Sequence, residues 1–409
     1  MEIKKYIFLI NDIGSVGGGQ LYLSSKVDWL ESEGWDVDVY YFYQTPVMLE
    51  NLKKFKRNYV RNFEFRFASL SPEERNETAA FITGNIPSGA NVVFESYSCQ
   101  MGLWGEFLAK ITNGKNICYF INESKPKITA SMRQFLLFKL KHKLLYGISP
   151  QSIPSVLPEA NGEDTFLRAE GCSQRNAPDI YDSRLETIPK EGFTILSIGR
   201  LEKLYMPKLF EEVKQFARSC HETVNFVIVG DTNQKKVRDS LFDSIRDIDN
   251  LNIIFWGYTF PIPKQLFERS DVFVGCAGSA FMAFKERVPS ITIDVTDYMG
   301  IGILGETTEN RLYRSSDEAP VPVSELLSVV YNTREERRKL RSCQTPIIET
   351  ANFIRHKEVM ELPFDHKYFP VENVKNNLLF DVTYNSIKRI GGKALLYKLK
   401  KIKHKLIPY

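Results

Sequence analysis

ILSIGRLEK, residues 195–203, and NFVIVGD, residues 225–231, decide the fold of this chain. The first is an apolar, β-branched run that stops at Gly199 and is followed at once by Arg200. The second is an apolar run that stops at Gly230. Between them, Pro207 to Cys220 carries apolar residues at helical spacing. The order is strand, glycine turn, helix, strand, with a cation at the end of the first strand. Open α/β sheets bind ligands outside the carboxyl ends of their strands. A guanidinium there, beside a helix N-terminus, suits a phosphate or pyrophosphate. The C-terminal half therefore reads as a nucleotide-binding Rossmann-like domain.

The N-terminal half repeats the pattern. Lys5–Asn11 is a short apolar strand that runs into GSVGGGQ, residues 14–20. Leu21, Leu23, Val27 and Leu30 then follow near helical spacing, and Asp36–Phe42 is the next strand. Gly17, Gly18 and Gly19 allow a tight turn that exposes N–H donors to an anion; a purely structural turn is the other reading. The spacing is not GxGxxG, and Tyr41-Phe42-Tyr43 stands where a ribose-binding acid would end the second strand. A nicotinamide or flavin enzyme is excluded on that ground. Further strands are expected at Val92–Glu95, Ile117–Ile121, Thr194–Ile198, Ile253–Trp256, Val272–Gly275 and Ser290–Asp294, with helices between them. The expected domains are 1–185 and 186–360, followed by a return segment and basic tail over 361–409. The polar stretch 161–190 is the linker.

At 409 residues and 43% apolar content the chain can fill two cores. No run approaches the ~18 apolar residues of a membrane span. Six scattered cysteines without CxxC point to a reduced, cytoplasmic protein, and five unclustered histidines argue against a structural metal. Asp36/Asp38 and Asp247/Asp249 resemble DxD pairs, but neither is placed for a metal site. The net charge of +4 hides an asymmetry. Residues 387–409 hold eight Lys or Arg and no acid, so the rest of the chain is at −4. Leu395, Leu396, Leu399, Ile402 and Leu406 interleave with those cations as in a basic amphipathic helix. Residues 132–146 show the same combination. Attraction to an anionic membrane surface is the reading of both stretches; a packed helix with solvated lysines, or a nucleic-acid tail, is the alternative.

The order ILSIGRL, NFVIVGD, NIIFWGYTFPIPKQLFERSDVFVGC, FMAFKERVPSITID resembles the C-terminal domain of GT-B glycosyltransferases, in particular the large retaining family (group 1 type) that builds bacterial lipopolysaccharide, capsule and glycolipids. The N-terminal GSVGGGQLYLSSKVDWLESEGWDVDVYYF resembles that family's glycine loop and first helix. The resemblance implies an α/β fold of two Rossmann-like domains facing across a cleft, with a C-terminal helical extension. It implies metal-independent hexosyl transfer from a nucleotide sugar of UDP type to a lipid-linked or cell-surface glycan, with no further cofactor. The location implied is peripheral, at the inner face of the plasma membrane, and no nucleic acid is involved. Carried over position by position, Arg200 is the pyrophosphate ligand, with Lys203 or Lys208 as the family's second cation. A salt bridge from Arg200 to Glu202 or Glu211 is the competing reading. Gly230, Gly278 and Ser279 line the donor phosphates, and Thr307 and Thr308 approach the donor sugar. Asn122 and Glu123 stand where the family has a catalytic-region histidine, and Glu95 is a further acceptor-side candidate. The family's paired glutamates are replaced by Val274 and Met282. That departure supports a rival reading, a non-catalytic GT-B subunit that partners an active transferase. A nucleotide-sugar epimerase of the same two-domain shape is a third.

Overall fold

A computed structural model describes residues 3–14, 16–121, 128–169, 172, 177–232, 235–344, 347, 352–376 and 395. The chain divides into two compact units: Met1–Ala169 with Phe353–Tyr409, and Glu170–Asn352.

The first unit runs β1 (Lys4–Leu9), α1 (Gly18–Ser32), β2 (Asp36–Tyr40), 3₁₀ turns between Glu50 and Ser69, α2 (Pro72–Thr83), β3 (Asn91–Ser96), α3 (Cys99–Thr112), β4 (Lys115–Phe120), α4 (Ala130–Lys141), β5 (Leu145–Gly147) and α5 (Gly162–Thr165). Its five strands are parallel in the order β2-β1-β3-β4-β5. β4 is buried along its whole length, as a strand covered on both faces must be. α2 starts where Ser71 accepts from the Glu74 amide and the Glu74 carboxylate accepts from the Ser71 amide, a reciprocal cap.

The second unit runs β6 (Phe193–Ile198), α6 (Met206–Ser219), β7 (Val224–Val229), α7 (Lys235–Asp243), β8 (Leu251–Gly257), α8 (Lys264–Glu268), β9 (Val272–Gly275), α9 (Ala277–Lys285), β10 (Ser290–Ile293), β11 (Gly300–Ile303), α10 (Val323–Asn332) and α11 (Arg334–Ser342). The strand order is β11-β10-β9-β6-β7-β8. All neighbours are parallel except β10 and β11. α6 buries Met206, Leu209, Phe210, Val213, Phe216 and Ala217 at i, i+3, i+4, i+7 spacing. Each large apolar side chain so buried contributes about 1.5–3 kcal/mol.

The chain then returns to the first unit through α12 (Ile354–Glu361) and a segment that reaches Asn376. The division falls at 169/170 and 352/353, not at 185/186 and 360/361. Ala177, Leu185 and Ile188 pack into the second unit's core. α12 instead buries His356, Val359 and Met360, and Val371 and Val374 join the first unit's core.

The 132–146 stretch is corrected. Met132, Phe135 and Leu136 are buried in the core, and Lys139 is buried with them. Leu137, Phe138 and Leu140 are half-buried, and Leu137 and Leu140 pack against that core. The basic tail 387–409 lies outside the described residues, apart from Leu395. Among the described residues no helix is long and apolar enough to cross a membrane.

Candidate functional site

In each unit the first strand is central and the chain winds outward to both sides of it. The loops leaving two neighbouring strands then diverge, and a crevice opens at their carboxyl ends. In the first unit this switch point lies between β1 and β3, in the second between β6 and β9.

At the second unit's switch point the loop after β6 is tied down by backbone bonds. Gly199 N–H donates to Val229 O at 2.9 Å, and Leu201 N–H to Asp231 O at 3.4 Å. Gly230 closes against this loop at φ 145°, and a β-carbon there would overlap the Gly199 carbonyl oxygen, so only glycine fits. The Arg200 side chain remains 63% exposed, its Nη1 3.4 Å from Glu202 Oε1. An exposed pair of this kind contributes about 0–1 kcal/mol and yields readily to a better anion. The Lys203 ammonium lies 5.9 Å from the Tyr205 ring centre. Lys208 is engaged elsewhere, 2.6 Å from Glu212 Oε1.

Across the switch point, α9 begins directly after β9. Ala277 takes a left-handed φ of 55°, and its N–H donates to Arg311 O at 2.6 Å. Ser279 Oγ donates to Cys276 O at 3.0 Å. No side chain caps α9 and no acid occupies its first turn; the same holds for α6. Both N-termini therefore keep unbalanced positive dipole ends at this edge. Met282 and Val274 are buried among apolar side chains.

Thr307 and Thr308 do not belong to this edge. β11 is antiparallel to β10, with Ile303 opposite Ile291, so its carboxyl end lies beside the start of β10. The turn that follows is at the opposite end of the sheet from Arg200. Thr307 Oγ1 accepts from Ile303 N–H at 2.8 Å, and Thr308 Oγ1 donates to Glu318 Oε1 at 2.5 Å. They close a turn. The chain beyond them comes back to the carboxyl edge. Arg311 runs beside the start of α9, its guanidinium 4.3 Å from the Phe281 ring centre. Sequence reading missed Arg311 because nothing in GIGILGETT marks β11 as reversed.

At the first unit's switch point the loop after β1 is fixed by Asp12, whose Oδ1 accepts from Gly14 N–H at 2.8 Å and Thr45 Oγ1 at 2.6 Å. Gly17 is the N-cap of α1 and makes no side-chain cap; no acid occupies the first turn. Gly17 and Gly18 are exposed, and a β-carbon on Gly18 would meet open space. Packing does not demand glycine at 18, so the bare backbone is left accessible. Gly19 faces Ile121, where a β-carbon would press on its Cδ1. Asn122 and Glu123 lie outside the described residues.

Glu95 is also corrected. It is 1% exposed and fully occupied. Tyr6 and Tyr22 donate to its Oε2 and Oε1 at 2.5 and 2.8 Å, and the buried Lys26 ammonium pairs with it. Burial, then the Glu95 charge, pushes both tyrosines well up, so they stay protonated donors. Lys26 also lies 3.0 Å from His356 Nδ1 on α12. Burial and the Lys26 charge hold His356 well below the usual histidine range. The Asp36/Asp38 pair is likewise spent, its carboxylates 2.7 and 2.6 Å from the Lys5 ammonium.

No protein-family model and no curated protein matches the sequence. Solved structures do. A glycosyltransferase from Rickettsia africae is similar over 100% of both chains, at 14% identity and TM-score 0.54. Anabaena HepE in complex with UDP-glucose is similar over 84% of this chain and 95% of its own, at 12% identity and TM-score 0.50. A putative UDP-N-acetylglucosamine 2-epimerase from Listeria monocytogenes covers 84% and 92%, at 13% identity and TM-score 0.49. The fold is that of the GT-B glycosyltransferases: two Rossmann-like units.

Proposed function

We propose that this protein is a glycosyltransferase. It moves a hexosyl group from a nucleotide sugar of UDP type to a lipid-linked or cell-surface glycan in bacterial polysaccharide biosynthesis. One observation carries the reading: at the β6/β9 switch point an exposed Arg200 stands at the edge where two uncapped, acid-free helices begin. Sugar transfer from a nucleotide donor builds negative charge on the departing diphosphate. Preorganised donors stabilise that charge most when they are in place before the bond breaks. Arg200 supplies a planar fork for two phosphate oxygens. Lys203, Gly230, Gly278 and Ser279 complete the phosphate cradle. The HepE complex with UDP-glucose supports the UDP type. Gly17, Gly18 and Gly19 line the acceptor side, with Asn122 and Glu123, which directly follow β4 in the chain, in the catalytic region. The tail over 387–409 holds the protein at the anionic inner membrane surface.

A second reading has its own observation. Met282 and Val274 fill the positions of the paired glutamates with buried apolar side chains, which favours a non-catalytic subunit that serves an active transferase.

Thermal-shift titration with UDP, GDP, CDP, ADP and their sugars separates the two. A donor nucleotide at one hundred times its Kd adds about 2.7 kcal/mol of stability. On the proposed function one nucleotide raises Tm, and Arg200→Ala abolishes the rise. No response to any nucleotide transfers the argument to the non-catalytic subunit.

A further inference from the structure

A cavity lies in the first unit, at the end of the sheet opposite its switch point. It has a volume of about 1060 Å³. Lys4, Asn91 and Lys115, at the starts of β1, β3 and β4, line it, and the returning chain around α12 forms another wall. Nothing in the proposed transfer uses it.

Two features of the lining specify a ligand. The first is charge. Lys115 is buried, and its ammonium donates to Met360 O at 2.7 Å and Leu362 O at 2.6 Å, which leaves one N–H. Among the described residues no carboxylate comes within 4 Å of it or of Lys4. Lys357, by contrast, is paired with Glu33 at 2.6 Å, and Glu361 also lines the cavity, so its three lysines stand against two carboxylates. Burial alone pushes Lys115 down to about 8, as expected of a cation without a counter-charge. The second feature is the half-buried aromatic lining of Trp29, Trp35 and Phe364. The Lys4 ammonium sits 5.8 Å from the Trp35 ring centre, so cation and flat ring are presented together. Aromatic faces carry negative potential and receive polarised C–H groups. A few polar groups converging on an aromatic concavity are the mark of a small-molecule site.

We propose that this cavity binds an acidic saccharide, a sugar ring bearing a carboxylate or a phosphate. The ring's apolar face stacks on the tryptophans, and its anion is met by Lys4 and Lys115. The site is separate from the Arg200 edge and does not depend on a nucleotide binding there.

Tryptophan fluorescence and calorimetry on the full chain test it, because Trp104 and Trp256, the other two indoles, are buried in the cores. The probes are tetragalacturonate, glucose 6-phosphate and neutral maltotetraose. At least one acidic probe binds saturably, about tenfold or more tighter than maltotetraose. The one that binds identifies a uronic acid or a sugar phosphate as the source of the anion. Lys4→Gln weakens that binding about tenfold, the loss of one charged hydrogen bond. Trp35→Leu weakens it too and removes part of the fluorescence change. Arg200→Ala leaves it unchanged, so failure of the nucleotide reading and failure here are distinguishable. Absence of saturable binding by both acidic probes overturns the proposal. So does equal affinity for the neutral probe, or affinity unmoved by Lys4→Gln in a protein with a wild-type melting curve.

Discussion

The two units share a winding pattern but pair their buried acids differently. The first unit sinks lysine–glutamate pairs into its interior. Lys26 and Glu95 are each 1% exposed; Lys139 and Glu106 stand 2.8 Å apart at 1% and 2%. The pairs lie on opposite faces of one sheet. Glu95 and Ser96 are consecutive in β3 and so point to opposite faces, and Ser96 Oγ leads through Asn116 to Glu106. Each network takes a group from the returning chain, His356 Nδ1 in one and Phe369 N–H in the other. In the second unit the buried acids Glu212 and Asp271 tie element ends together, to Ser324 and to the Thr194 amide, and take their cations, Lys208 and Arg338, from partly exposed side chains. Arg200 is left exposed at the carboxyl edge. Charge in the first unit fastens the return segment with both partners buried; in the second the buried acids pair with partly exposed cations, and Arg200 is displayed. Burial, not position in the motif, tells the two uses apart.

The strongest way to break this comparison is to remove one member of a buried pair. Glu95→Gln leaves the Lys26 ammonium buried with no counter-charge, which costs about 3–5 kcal/mol. Urea unfolding of the variant should show that loss. Arg200→Ala should stay within about 0.5 kcal/mol of the parent, as an exposed substitution does. Equal effects would end the distinction between fastening and displayed charge. Next in size is Gly230→Ala. It forces a β-carbon toward the Gly199 carbonyl at φ 145° and should cost about 1–3 kcal/mol, with nucleotide response lost because the Arg200 loop must move. Gly18→Ala, facing open space, should leave stability nearly unchanged.

A smaller effect depends on pH. His356 is held neutral by burial beside Lys26, so its folded pKa lies below the ordinary 6.5. The unfolded chain binds the proton first. Stability is therefore full above about pH 6.5 and falls as the pH drops below it, by up to about 1.4 kcal/mol per unit. His356→Phe should remove that part of the slope between pH 7.5 and 5.5. An unchanged slope would place the acid sensitivity in other groups.

Much of this architecture was legible. Residues 193–198, 224–229 and 272–275 are strands because β-branched runs bounded by glycine have few other options. Arg200 could be placed because the residue after a parallel strand always lies at the carboxyl edge. Glu95 was misread for a related reason. Its place near the end of β3 was clear, but the sequence does not say which way the side chain points, nor that Tyr6, Tyr22 and Lys26 converge on it. The partner His356 stands 330 residues from Lys26, beyond any local pattern. The same limit hid Lys139: a lysine amid apolar residues reads as solvated, and only the fold supplies Glu106.

Strand direction is the remaining limit, and it gives the last prediction. GIGI is short, apolar and β-branched whether it runs up the sheet or down it. Its antiparallel pairing with β10 carries Thr307 and Thr308 away from the Arg200 edge. Thr307→Val should then act on the turn alone. It removes the acceptor of the Ile303 amide, a loss of about 1 kcal/mol in stability. The nucleotide-induced rise in Tm should be the same as in the parent. A Thr307→Val protein that melts normally but no longer responds to nucleotide would contradict this turn as drawn and return the threonine to the ligand. A destabilised protein with an intact response fits one displayed-charge edge, with the turn after β11 at the far end of the sheet.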